Sequence, residues 1–192
     1  MARMIIGAIV AAIAMFILGF IFFATPLAGL AIANLDDAPA AAVQDALAAN
    51  LPRTGTYSVP DIATPAQTNM FSRGPIATIH YNTSGFAAVD TKALAIGLGL
   101  NFVVALAIGL ALLGIDGRVA DFGSRARVAV IIALAAAGYT HLGEPIYLHH
   151  DWPHFIYLFI ADGLALAAAG LILAWFLPRP AAAAPADAPT EV

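Results

Sequence analysis

The chain has 192 residues, of which 61% are hydrophobic and only 10% charged, and its mean hydropathy is +0.88. A soluble domain carries roughly 25% charged residues, so this chain lacks the polar surface to cover itself in water. Eight basic against twelve acidic residues give a net charge of -4, which argues against a nucleic-acid partner, and the absence of cysteine excludes disulfides, thiolate catalysis and cysteine-ligated zinc or iron–sulfur centres.

The first apolar segment runs from Met4 to Thr25 without a charged residue, and Pro26 ends or kinks it. A secretory signal is the alternative, with Arg3 as a basic start and Ala31-Ile-Ala33 as a small-residue cleavage site. The apolar run, however, exceeds the roughly 7–15 residues of a signal core, which favours a retained transmembrane helix over 1–34. Residues 35–90 form an insert. Asp36-Asp37-Ala-Pro39 followed by Ala40–Asn50 predicts a capped helix with one apolar stripe, Val43, Leu47 and Leu51. The stretches 55–60 and 76–81 alternate like short strands of a hairpin, and Ala63–Arg73 between them reads as irregular. His80, alone in the second strand, reads as a surface residue.

Three further apolar segments follow over 91–178, at Ala93–Ile115, Val128–Gly143 and Pro153–Leu177. Crossing the hydrocarbon takes about 20 apolar residues, and helices satisfy their own backbone in lipid. The expected fold is therefore all-α: a four-transmembrane-helix bundle with a small external helix-plus-hairpin insert between helices 1 and 2. The Ala/Pro-rich residues 179–192 read as a disordered tail. Arg3, Arg118, Arg125, Arg127 and Arg179 fall on one side, against Arg53, Arg73 and Lys92 on the other. The arginine-rich side is expected to be cytoplasmic, which puts both termini inside and the insert outside, periplasmic in a bacterial inner membrane.

Four of the five histidines lie between 141 and 154, in the turn that joins the last two segments. With Asp151 capping the last helix, Asp162 lies ~14 Å along it, near the bilayer midplane. An acid there costs ~2.5–3.5 kcal/mol on insertion scales and needs a partner. Asn101 descends to a similar depth, and Tyr139, His141, Glu144 and His154 arrive nearby. One polar cluster is expected: Asn101, Tyr139, His141, Glu144, His154 and Asp162. It could relay protons through Asp162, Glu144 and His141, or simply pin the helices with a bond from Asp162 to Asn101, to Tyr139 or to a partner subunit. His149, His150 and His154 with Asp151 could bind a metal ion, although the spacing matches no established ligand motif. The bland alternative is an interfacial turn, with Trp152 and Tyr147 at the headgroups. A single haem would need His141 and His154 as axial ligands. No cofactor is required by any motif, and no nucleophile–base set suggests an enzyme. Gly97, Gly99, Gly109 and Ala167–Gly170 offer small faces for helix contacts, within the chain or with other membrane proteins.

The sequence resembles small bacterial four-helix inner-membrane proteins of unknown function. The resemblance rests on Gly19-Phe20 before a proline, Ala48-Ala-Asn50-Leu-Pro52 leading to Gly55-Thr-Tyr57, Gly74-Pro-Ile-Ala77, and an aromatic turn entering a last span with Asp162. It implies architecture and transfers no active site. From the residues themselves, a non-enzymatic accessory or assembly component is the first expectation, and a metal- or proton-handling membrane protein the second.

Overall fold

The computed structural model describes residues 1–178, so the tail expected over 179–192 lies outside the described residues. Helices α1 (Ala2–Phe23), α2 (Asp37–Asn50), α3 (Pro65–Arg73), α4 (Thr91–Gly114), α5 (Phe122–Tyr147) and α6 (Trp152–Phe176) are joined by two strands, β1 (Gly55–Val59) and β2 (Ala77–Tyr81). The described residues divide into two compact units, 1–33 with 91–178, and 34–90.

The first unit holds α1, α4, α5 and α6, the four helices long and apolar enough to cross a membrane. With 22 to 26 residues each, they extend ~33–39 Å at 1.5 Å per residue, enough for a ~30 Å hydrocarbon layer. Thr25 ends α1. Its hydroxyl donates to the Ile21 carbonyl (2.6 Å) and accepts from Leu27 N–H (3.3 Å), and Pro26–Leu30 continues as a short 3-10 turn. The third apolar segment is longer than the expected Val128–Gly143, because α5 begins at Phe122 and runs to Tyr147. Asp121 sets that start by accepting from Ser124 N–H (2.9 Å), so Arg125 and Arg127 belong to the first turns of the helix.

Helix α6 packs on α5 and α1, and α1 packs on α4. Helix α4 also touches α6 but barely meets α5. The seams are built of small residues: Ala8, Ala11, Ala105, Ala129, Ala133, Ala137, Ala161 and Ala169 are buried. Gly170 lies against Ala129, Gly163 against Leu134 and Ala137, and Gly109 against Leu173 and Met4. Gly97 and Gly99 make no such contact within the chain, since neither has anything within 4 Å of a built Cβ. Large side chains face outward: Ile96 (64%), Ile132 (61%) and Trp175 (70%) are exposed. Water would draw the large apolar groups inside. Small residues at the contacts with bulky ones outside is the pattern of helices packed in lipid.

The unit at 34–90 carries β1 and β2, antiparallel with Tyr57 opposite Ile79 and Thr56 opposite His80. Thr54 and Thr83 close one end, side chain to side chain at 3.1 Å. His80 is exposed, as expected, and its Nδ1 lies 3.1 Å from the Thr56 hydroxyl on the neighbouring strand. The strands pair as expected, but they do not form a simple hairpin. The stretch read as irregular contains α3, whose start is set by Pro65 in the first turn and by Thr64, which accepts from Gln67 N–H (3.2 Å). Gly74, at φ +66°, ends it, a conformation that glycine adopts without a Cβ penalty. Helix α2 forms where predicted, yet Asp36 makes no capping side-chain bond and none of the helix is buried. Its Val43–Leu47–Leu51 stripe is therefore no core.

Candidate functional site: a polar pair in an apolar cleft

Asp162 meets His141. The imidazole Nε2 of α5 lies 2.7 Å from the Asp162 carboxylate of α6. Both helices are held in register by the Gly163 contact one residue away. The two side chains are unequally covered, with 12% of His141 and 46% of Asp162 exposed. The exposed side of the carboxylate opens into a cleft of about 630 Å³ between all four long helices. Its walls are apolar, formed by Phe16, Phe20, Leu94, Leu100, Val104 and Leu166. Asn101 and Thr140 also line it, and neither makes a side-chain hydrogen bond among the described residues. His141 and Asp162 are the only titratable side chains in its lining. Because α4 and α5 scarcely touch, the cleft is not closed on that side.

The expected six-residue cluster separates into parts. Asn101, His141 and Asp162 share the cleft. Tyr139 does not, being 91% exposed. It is two residues from His141, and at ~100° per residue the two point to opposite faces of α5. Glu144 turns away from His141 to His150, with Oε2 3.2 Å from Nδ1, so a three-membered relay through Asp162, His141 and Glu144 is not assembled. His154 places Nδ1 2.9 Å from the Ala31 carbonyl. A carbonyl only accepts, so that nitrogen carries the proton. This bond ties the 3-10 turn after α1 to α6, and Tyr157 repeats the tie with its hydroxyl donating to the Phe22 carbonyl (2.6 Å). Asp151 caps α6 as expected, accepting from His154 N–H (3.1 Å).

The histidine doublet and His154 do not converge. His149 sits at φ +55°, exposed, in the left-handed region rare for residues with a Cβ. His150 stacks on Phe155 at 5.5 Å and pairs with Glu144. No group of three His, Asp or Glu side chains that could hold a metal ion forms among the described residues. His141 and His154, the pair considered for haem, turn to Asp162 and Ala31 respectively.

No family model, curated protein or solved structure matches this chain. The geometry therefore carries the functional argument alone.

A second polar group lies at the opposite end of the bundle, where the sequence reading used its charge only for orientation. Arg125 is 1% exposed. Its guanidinium pairs with Asp116 and donates to the carbonyls of Val119 (3.0 Å), Leu177 (3.3 Å) and Pro178 (3.0 Å). One planar fork thus binds the α4–α5 link to the end of α6. Asp121 beside it is held below the usual carboxylate range by the hydroxyl and backbone N–H of Ser124. Arg125 and its acceptors satisfy one another, and the recess of about 260 Å³ that Arg125 lines with Arg3 is polar, so this group anchors the bundle.

Chemically, the His141–Asp162 contact shares one proton between two bases. Such a pair can hold a proton at Oδ2 or Nε2 and exchange it with whatever fills the cleft.

Proposed function

We propose that the chain is an integral membrane protein whose four long helices cross the bilayer with both termini cytoplasmic, and that its cleft is a proton-exchanging binding site. One observation carries the second half of this reading: the half-exposed Asp162 side chain beside His141 in a mostly apolar cleft. The bond covers the imidazole and leaves the acid presented to open space. The outward-facing bulk of the helices supports insertion, and the arginine distribution supports the orientation.

The test is imidazole ¹⁵N NMR of the protein in lipid nanodiscs, from about pH 4 to about pH 9. His141 is expected to change protonation over that range, and Asp162→Asn is expected to move its midpoint while leaving the other histidines in place. A His141 signal that stays in one state throughout sinks proton exchange. Orientation is checked separately. The chain has no cysteine, so Ser84→Cys and Ser124→Cys each create a unique thiol. An impermeant maleimide should label position 84 on intact cells and spare position 124.

An accessory role, binding another membrane or envelope protein, is the second reading. It is favoured by the unit at 34–90, which buries no side chain and exposes Ile62 (64%), Phe86 (70%) and Val89 (71%). Gentle detergent extraction followed by mass spectrometry tests it, and a partner-free monomer would refute it.

A further inference from the structure

The lining of the cleft limits what can occupy it. Its volume of about 630 Å³ corresponds to roughly 20 liquid waters and falls within the ~300–1,000 Å³ range of small-molecule sites. Phe16 and Phe20 of α1, Leu94 and Leu100 of α4, and Leu166 of α6 offer an apolar surface too extensive for water alone. No lysine or arginine lines the cleft, and Asp162 faces into it, so an anionic headgroup would meet a carboxylate with no cation to offset it. Three polar functions are left for an occupant. The exposed part of the Asp162 side chain accepts a hydrogen bond, while the Asn101 carboxamide and the Thr140 hydroxyl, without side-chain partners among the described residues, can each donate or accept one. A group that both donates and accepts, and carries no charge, matches them together. That group is a hydroxyl.

We infer that the cleft binds an uncharged amphiphile with a hydroxyl head on an apolar body, entering sideways from the lipid between α4 and α5. This rests on the proposal that the cleft is the functional site. The hydroxyl donates to Asp162 and accepts from the Asn101 amide, while the body lies along the phenylalanines of α1. The gap that admits it is the side where α4 and α5 scarcely meet. Lipophilic alcohols and alkyl phenols share this chemistry.

Photolabelling of the intact protein in phosphatidylcholine nanodiscs tests the inference, with a diazirine-bearing dodecan-1-ol as the probe and labelled peptides mapped by mass spectrometry. Label is expected on the cleft walls, at Phe16, Phe20, Leu94 and Leu100. Dodecan-1-ol or 4-dodecylphenol should compete at least tenfold better than dodecane or dodecyl phosphate. The stronger of the two competitors tells an aliphatic from an aromatic source. Asn101→Leu, apolar and of similar size on an already apolar helix, should lower cleft labelling roughly tenfold, the loss of about one hydrogen bond. Dodecane competing as well as dodecan-1-ol overturns the inference. So does label spread as heavily over the lipid-side residues Ile96, Val103 and Ile131. If His141 titrates but dodecane competes equally, the alcohol falls and proton exchange survives. If labelling is head-selective while His141 never titrates, the alcohol stands and proton exchange falls.

Discussion

The α5–α6 seam sets the His141–Asp162 distance, and Gly170→Ala tests that seam most directly. A Cβ built at Gly170 lies 2.6 Å from the Ala129 Cβ, against an optimal carbon–carbon separation of ~3.5–4.0 Å. The helices would have to part by roughly 1 Å. Over-packing of this kind costs ~1–3 kcal/mol, and the better helix propensity of alanine returns ~1 kcal/mol. The expected net loss is about 0–2 kcal/mol. Ala129→Gly loses ~1 kcal/mol of propensity and ~0.8 kcal/mol for one buried methyl, close to 2 kcal/mol. Together they move a single methyl from one helix to the other. The nearest remaining atoms, the Cα and carbonyl carbon of residue 129, then lie at 3.6 and 3.8 Å, ordinary contact distances. The double variant should therefore approach the parent, giving a coupling of about 2 kcal/mol or more. Unfolding in mixed micelles with increasing SDS measures all four corners of this cycle. The His141 ¹⁵N signal should shift in Gly170→Ala and return in the double variant. Singles that add within ~0.5 kcal/mol would refute both the contact and its role in setting the pair.

Arg125→Lys keeps the charge but cannot serve Asp116 and three carbonyls at once; a loss of about 1–3 kcal/mol is expected in the same SDS titration, and an unchanged midpoint would contradict the anchor. Tyr157→Phe removes only the hydroxyl bond to the Phe22 carbonyl and should cost about 1 kcal/mol, with faster amide exchange at the end of α1 as its local mark. Asp121 has a depressed carboxyl pKa in the folded protein, so its contribution is complete above its unfolded value and is lost as pH falls through the folded one. Asp121→Ala should accordingly lower stability at neutral pH and converge with the parent in strong acid, and a pH-independent difference would show that the Ser124 cap does not titrate with folding.

Much of this fold was legible because helices long and apolar enough to cross a membrane write themselves in long apolar runs. Met4–Thr25 and Pro153–Leu177 match α1 and α6 to within a few residues. The depth count that paired Asp162 with a group from α5 also succeeded, since rise per residue is nearly constant. Angle was the weaker coordinate. Counting depth alone admitted Tyr139, whereas its two-residue offset from His141 already assigned it to the opposite face. Helix α3 was missed although Thr64-Pro65-Ala66-Gln67 carries a capping signal, because its nine residues are mostly polar, with only Met70 and Phe71 as large apolar side chains. Arg125 could not be read from its neighbours at all. Its partners lie up to 53 positions away, and three of them are backbone carbonyls.

The contrast between the two polar groups of the bundle explains why function is placed at one and not the other. Arg125 and His141–Asp162 are both ionisable groups on helices that pack through alanine and glycine, and each had to be compensated for leaving water. Arg125 is compensated in full by oxygens of the protein, so nothing is left for a ligand to offer it. His141–Asp162 is compensated in part, with nearly half of the Asp162 side chain still uncovered and the Asn101 amide unpartnered among the described residues in the same cleft. Closing that cleft would need no new fold, only larger residues at Gly97 or Ala136, both in its lining. Gly97 has open space beside it, so Gly97→Leu should fill the cleft without breaking a seam. It is expected to leave the SDS midpoint near the parent value while abolishing head-selective labelling. A variant that unfolds, or that still labels as the parent does, would mean that the opening at Gly97 is not the space the ligand uses.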